Sequence, residues 1–198
     1  VVRKTTTFCL VTLFLGYATL FSGCVSAGLP DEATPAHRYY AALADYNGAK
    51  RTALEYAKLP STPDEHVETI LAVVEATDSQ LKAFEALRRD GAVGSSNYAL
   101  IATVLQQATE ELLKRAVLNE AGLTPATALL LLRLIGVLGA GIRLVPQLRQ
   151  RRDELTARIE QMIREDRDPT NEEIDVLLSE SDWLTNEIAA EAERRQDT

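Results

Sequence analysis

Val67, Ile70, Val74, Thr77, Leu81 and Phe84 follow one another in steps that alternate between three and four residues. That spacing keeps side chains on one stripe of an α-helix and would scatter them over both faces of a strand. The same rhythm places Tyr39, Leu43, Tyr46, Ala53 and Ala57 near one face. It recurs in Tyr98, Ile101, Leu105, Ala108 and Leu112, and again in Ile174, Leu177, Ser181, Leu184 and Ile188. No window shows the β-branched alternation of a half-buried strand. The fold class expected is all-α.

Punctuation sets the number of helices. "LPSTP" at 59–63, "RDGAVGSS" at 89–96, "AGLTP" at 121–125 and "RDPTN" at 167–171 cut residues 35–198 into five segments. Short connections between long amphipathic segments make consecutive helices antiparallel, so the expectation is one elongated antiparallel helical bundle of about five helices. Thr62 before Pro63, with Glu65 at capping-box distance, predicts the start of the second helix, and Thr124 before Pro125 predicts that of the fourth.

The segment ahead of the bundle has a different character. Arg3 and Lys4 are followed by no charge until Asp31, and a dense apolar run of 14 residues extends from Phe8 to Phe21. A basic start, a short apolar centre and small residues before a break form the layout of a secretory signal peptide. The run is shorter than the roughly 20 residues that cross a bilayer, which favours cleavage, although the whole uncharged span from Thr5 to Pro30 is long enough for an uncleaved membrane helix.

Phe21, Ser22, Gly23 and Cys24 resemble a bacterial lipobox, with Phe21 where Leu is usual. The resemblance implies that residues 1–23 are a removed leader and that Cys24 becomes the acylated first residue of the mature chain. Residues 24–34 then form a lipidated N-terminus and tether, and 35–198 the helical domain. It implies as well a lipid-anchored protein at the cell membrane or outer membrane with its body facing the periplasm or exterior. Val25 in place of Asp favours the outer membrane. Two or more acyl chains hold a protein stably where one does not. Cys9 would leave with the leader and Cys24 would be acylated, so no thiol remains for a disulfide, metal or nucleophile.

The fourth segment, Pro125 to Leu155, is apolar over its first 21 residues apart from Thr127, Arg133 and Arg143. Arg133, Gly136, Ala140, Arg143 and Gln147 share one face, opposite Leu131, Leu134, Ile135, Leu138 and Ile142. That pattern fits an amphipathic core helix; membrane insertion, which two arginines oppose, and a partner-binding surface are the other readings. Gly136, Gly139 and Gly141 each cost a helix about 1 kcal/mol relative to Ala. They point to close helix packing or, with Pro146, to a hinge.

Charge narrows the partners. The chain carries a net charge of −8, and residues 24–198 carry −10 because Arg3 and Lys4 are the only charges in the leader. A body this acidic excludes nucleic acid as a general partner. Arg149, Arg151 and Arg152 form a local basic cluster, a candidate contact for a partner or for lipid headgroups. The segment from Asp168 holds ten acids and two arginines, and pairing between it and the arginine-rich fourth segment is expected.

No catalytic, metal-binding or cofactor-binding set can be nominated. His37 and His66 lack the Glu-x-x-His spacing of di-iron bundles, and His66 reads as part of a solvated helix start. Tyr39, Tyr40, Tyr98 and Trp183 could stack on sugars, although aromatics at helical spacing are usually core. The expectation is a non-catalytic protein-binding or scaffold module with an envelope protein as partner. A membrane-interacting or exclusion-type factor using the helix 125–152 is the alternative, and an enzyme a third class.

Overall fold

The computed structural model describes residues 29–120 and 144–196. The leader, Cys24 and the apolar stretch 125–143 with Gly136, Gly139 and Gly141 lie outside the described residues. So do the side chains of 144–152, including Pro146, Arg149, Arg151 and Arg152. Among the described residues there are five helices and no strand: α1 (Pro35–Ala57), α2 (Asp64–Arg89), α3 (Ser95–Glu120), α4 (Leu144–Arg164) and α5 (Asn171–Gln196). The chain is an all-α helical bundle.

Helix α1 is the axis of the bundle. Of its 23 residues 17 are buried, against 8 of 26 in α2, because α2, α3, α4 and α5 all pack around it. Its most extensive partner is α3. Small side chains explain the intimacy: Ala41, Ala42, Ala49 and Ala53 on α1 and Ala102, Ala108 and Ala116 on α3 are all buried and let two helices approach closely. Tyr39 and Tyr98, both near the starts of their helices, meet with ring centroids 5.8 Å apart, so this pair runs parallel. Among the described helices α1, α3 and α5 run in one direction and α2 and α4 in the other, and the most extensive contact joins α1 and α3.

The stripes read from the spacing are the buried ones. Val67, Ile70, Val74, Thr77, Leu81 and Phe84 are all buried on α2, and on α5 Ile174, Ser181, Leu184 and Ile188 are buried with Leu177 partly so. Each large apolar side chain taken out of water contributes about 1.5–3 kcal/mol, which favours one register for each helix. Leu29 also packs on this core and Ala33 is buried, so the bundle begins before α1 does.

The helix ends depart from the expectations in instructive ways. Thr62 does not cap α2: Pro63 occupies that position without a side-chain bond, and the Thr62 hydroxyl donates instead to the Tyr56 carbonyl at 2.6 Å. A capping box does exist on α1, where Thr34 accepts from the His37 amide at 3.2 Å and the His37 ring accepts from the Thr34 amide at 3.1 Å. That donor fixes His37 Nδ1 as an acceptor, so Nε2 carries the proton and donates to the Arg167 carbonyl at 2.9 Å. His66 is not simply solvated, since its ring stacks on Tyr56 and its Nδ1 lies 2.9 Å from the Tyr56 hydroxyl.

Two helices stop in the same way on different residues. After α2, Gly91 takes φ +70°, its amide reaches Arg88 and that of Ala92 reaches Leu87. After α4, Asp166 takes φ 51°, with the amides of Asp166 and Arg167 returning to Ile163 and Met162. Both are left-handed helix stops of the Schellman kind, in which glycine avoids the strain a side chain incurs. Asp166→Gly should raise stability by about 1 kcal/mol, measured as a higher urea midpoint with an unchanged slope.

The turn into α5 also carries a titration. Hydrogen bonding from Arg167 holds the Glu173 carboxyl below the ordinary glutamate range, assisted by the Thr170 amide and by the charges of Arg167 and Arg158 and opposed by partial burial. A carboxylate with a depressed folded-state pKa stabilises the fold above its unfolded pKa and loses that contribution as pH falls through the folded one. Denaturant midpoints of Glu173→Gln should fall below those of the parent at about pH 7 and converge with them at about pH 3.

Candidate functional site

Three helices converge on a charged cluster in the interior. Lys50 of α1 is fully buried, and its ammonium meets Asp78 of α2 at 2.7 and 2.8 Å. On α5 it also donates to the Ser181 hydroxyl at 2.8 Å and the Thr185 hydroxyl at 2.7 Å, with the Ser181 carbonyl at 3.2 Å. Asp78 is as fully used, accepting from Tyr46 at 3.0 Å and Thr185 at 2.5 Å besides Lys50. The Tyr46 ring lies under the ammonium, 4.5 Å from it.

Helical spacing builds this arrangement. Tyr46 and Lys50 are four residues apart on α1, as are Ser181 and Thr185 on α5, so each pair stacks on one face and turns toward Asp78. Burial raises the Tyr46 hydroxyl far above its ordinary range, and the charge of Asp78 adds to the effect, so Tyr46 stays a donor. Burial pulls the Lys50 ammonium below its usual range while Asp78 pulls it back. Ser181 and Lys50 sit at the distance of a nucleophile and its base. In this geometry, however, the lysine hydrogens are directed at Asp78 and the two hydroxyls, and Lys50 offers no lone pair to accept a proton.

A second polar knot lies one end further along. The Tyr39 hydroxyl donates to Glu85 at 2.6 Å, and the Arg88 guanidinium holds Glu85 at 2.7 Å while reaching Asn171. Tyr39, Phe84 and Tyr98 pack beside it in tilted and edge-to-face contacts with centroid separations of 5.0 to 5.8 Å. Between the two knots, α2 and α5 leave an open groove of about 440 Å³ whose lining includes Asp78, Leu81, Lys82, Glu85, Leu178 and Ser181.

The pairing expected between the basic fourth segment and the acidic helix is made at Glu173, and other acids of α5 find other partners. Glu173 meets Arg167 at 2.9 Å and Arg158 of α4 at 3.7 Å. Beyond that turn three acids of α5 look to α1 and α2, Glu180 to Arg51, Asp175 to Arg89 and Asp182 to Lys82, while Glu191 pairs with Arg195 of its own helix. The cause is the topology, since α4 packs against α1 and diverges from α5. At the far end Arg195 donates to the carbonyls of Ala57, Leu59 and Thr62, closing the last turn of α1.

The aromatics divide. Tyr39 and Tyr40 are core and Tyr98 is partly covered, whereas Trp183 is 50% exposed on the outer face of α5. Arg51 lies over its ring at 5.9 Å and is itself held by Glu180 at 2.5 Å. Sequence reasoning grouped Trp183 with the core aromatics. Its place next to Asp182, one position off the buried stripe, is the signal that separates it.

Among the described residues no cluster of three or more His, Cys, Asp or Glu side chains is placed to hold a metal ion, and no helix is long and apolar enough to cross a membrane. No protein-family model, curated protein or solved structure matches the chain.

The buried cluster predicts a stability signature. Lys50→Met, which strands Asp78, should lower stability by about 3–5 kcal/mol, and adding Asp78→Leu should restore only part of it because Tyr46 and Thr185 lose their acceptor. Arg195→Ala should cost about 1.5–3 kcal/mol through the carbonyls it leaves open. Both losses are read from denaturant unfolding followed by circular dichroism.

Proposed function

We propose that the chain is a lipid-anchored envelope protein whose helical body is a non-catalytic binding module. The observation that carries this reading is how the polar side chains are used. Lys50, Asp78, Glu85 and Arg195 are engaged in joining helices to one another. The large aromatic side chain left half in water, Trp183, stands on a rigid helix with its ring steadied by Arg51. Rigid aromatic anchors of this kind are what protein interfaces are built around.

The anchor rests on the leader and the lipobox-like residues ending at Cys24. Leu29 packs against the core, so only about five residues would separate an acylated Cys24 from the folded body, a reach of at most about 18 Å. Such a module would work close to its membrane. Its partner is accordingly an envelope protein.

Expression in a bacterial host with Cys24→Ser as the comparison tests the anchor. The parent should enter the detergent phase on temperature-induced separation, and its N-terminal peptide should have the mass of an acylated cysteine; the variant should move to the aqueous phase. A parent recovered with residues 1–23 still attached and no acyl mass would overturn the anchor.

A further inference from the structure

The outer face of α5 has a composition that none of the helix's other duties explains. Counted at 100° per residue, Glu172, Val176, Ser179, Trp183 and Glu187 fall within an arc of about 80°. This arc points away from the faces that pack on α1 and α2. Val176 is 66% exposed and Trp183 50%, two of the four large apolar side chains that stand in water among the described residues. They lie seven residues apart, about 10.5 Å along the axis, so one helix of a partner could cover both.

The rim of this face is acidic and unneutralised. Glu173, Asp175, Glu180, Asp182 and Glu191 each have a cation within ion-pair distance. Glu172 and Glu187 have none among the described residues, and they bracket the two apolar side chains at either end. Arg51 borders the face, but its charge is already directed to Glu180. The face therefore offers an apolar centre with a negative field at both ends, on a helix whose backbone is held by the Lys50 cluster beneath it.

We propose that this face docks a cationic amphipathic helix of a partner protein, with Trp183 and Val176 covered by its apolar stripe and Glu172 and Glu187 paired with its lysines or arginines. Charge complementarity selects this occupant. A membrane surface would bring anionic headgroups toward two unpaired carboxylates, and a second copy meeting this face with its own would oppose like charges. The inference rests on the binding-module reading and supplies the class of partner.

Trp183 is the only tryptophan in the chain, so its emission reports this face alone. The probe is a synthetic helical peptide with leucines on one face and lysines on the other, titrated into the full chain in neutral detergent. A peptide with glutamates for the lysines is the control. The lysine peptide should move the emission to shorter wavelength with saturation, the effect should weaken with salt, and the glutamate peptide should leave it unchanged.

Glu172→Lys with Glu187→Lys should weaken the lysine peptide by about tenfold or more, while Glu110→Lys, an exposed acid on α3, should not. Equal weakening by Glu110→Lys would reduce the effect to net charge and overturn the proposal. A shift produced only by vesicles of anionic phospholipid, or only by raising the protein's own concentration, would overturn it too. Since emission is independent of acylation, a failure here is distinct from a failure of the anchor, which phase separation reads.

Discussion

One ammonium group organises the bundle. Lys50 has been removed from water altogether, and an isolated charge in that position would be intolerable. It is accepted because α2 supplies Asp78 and α5 supplies Ser181 and Thr185 in the same few ångströms. A purely apolar seam between these helices could slide by a turn at modest cost; this one cannot without stranding both charges. The groove, the neutralised acids of α5 and the fixed pose of its outer face all follow from that lock on rotation and register.

The apolar stripes were legible in the sequence because three-four spacing is a local property of one helix. Ile70 and Val74, or Leu184 and Ile188, are buried for reasons visible within ten residues of themselves. The lock was not legible. Lys50 and Asp78 are ordinary polar residues in sequence, and only the crossing of three helices reveals that they share a site. The arginines show the same limit: a basic segment beside an acidic one in sequence suggests pairing, which Arg158 and Arg167 make with Glu173, whereas Asp175, Glu180 and Asp182 turn instead to α1 and α2.

Ends of helices were read with mixed success, and the reason is again locality. The glycine at 91 announces a left-handed stop, but Asp166, just ahead of "RDPTN", adopts the same conformation with nothing in the sequence around it to mark that. Thr62 had the letters of a cap and spends its hydroxyl on the preceding helix. Thr34, with a histidine at the third position in place of the usual acid or amide, lacked the letters and forms the box. As for the candidate site, the position of Trp183 one place off the α5 stripe is legible in the sequence, whereas the support of its ring by Arg51 and Glu180 appears only in the fold.

The order of the helices has a consequence for how the chain reaches this state. The axis of the bundle is its first helix, and the groups that satisfy Lys50 lie 28 and 131 residues further on. A chain growing from its N-terminus therefore makes the helix that will be most deeply buried before the last of its cover, so the Lys50 site of α1 stays incomplete until α5 is made. A ribosome that stops short of residue 181 leaves a stranded lysine and an open seam, a species fit for proteolysis rather than for work.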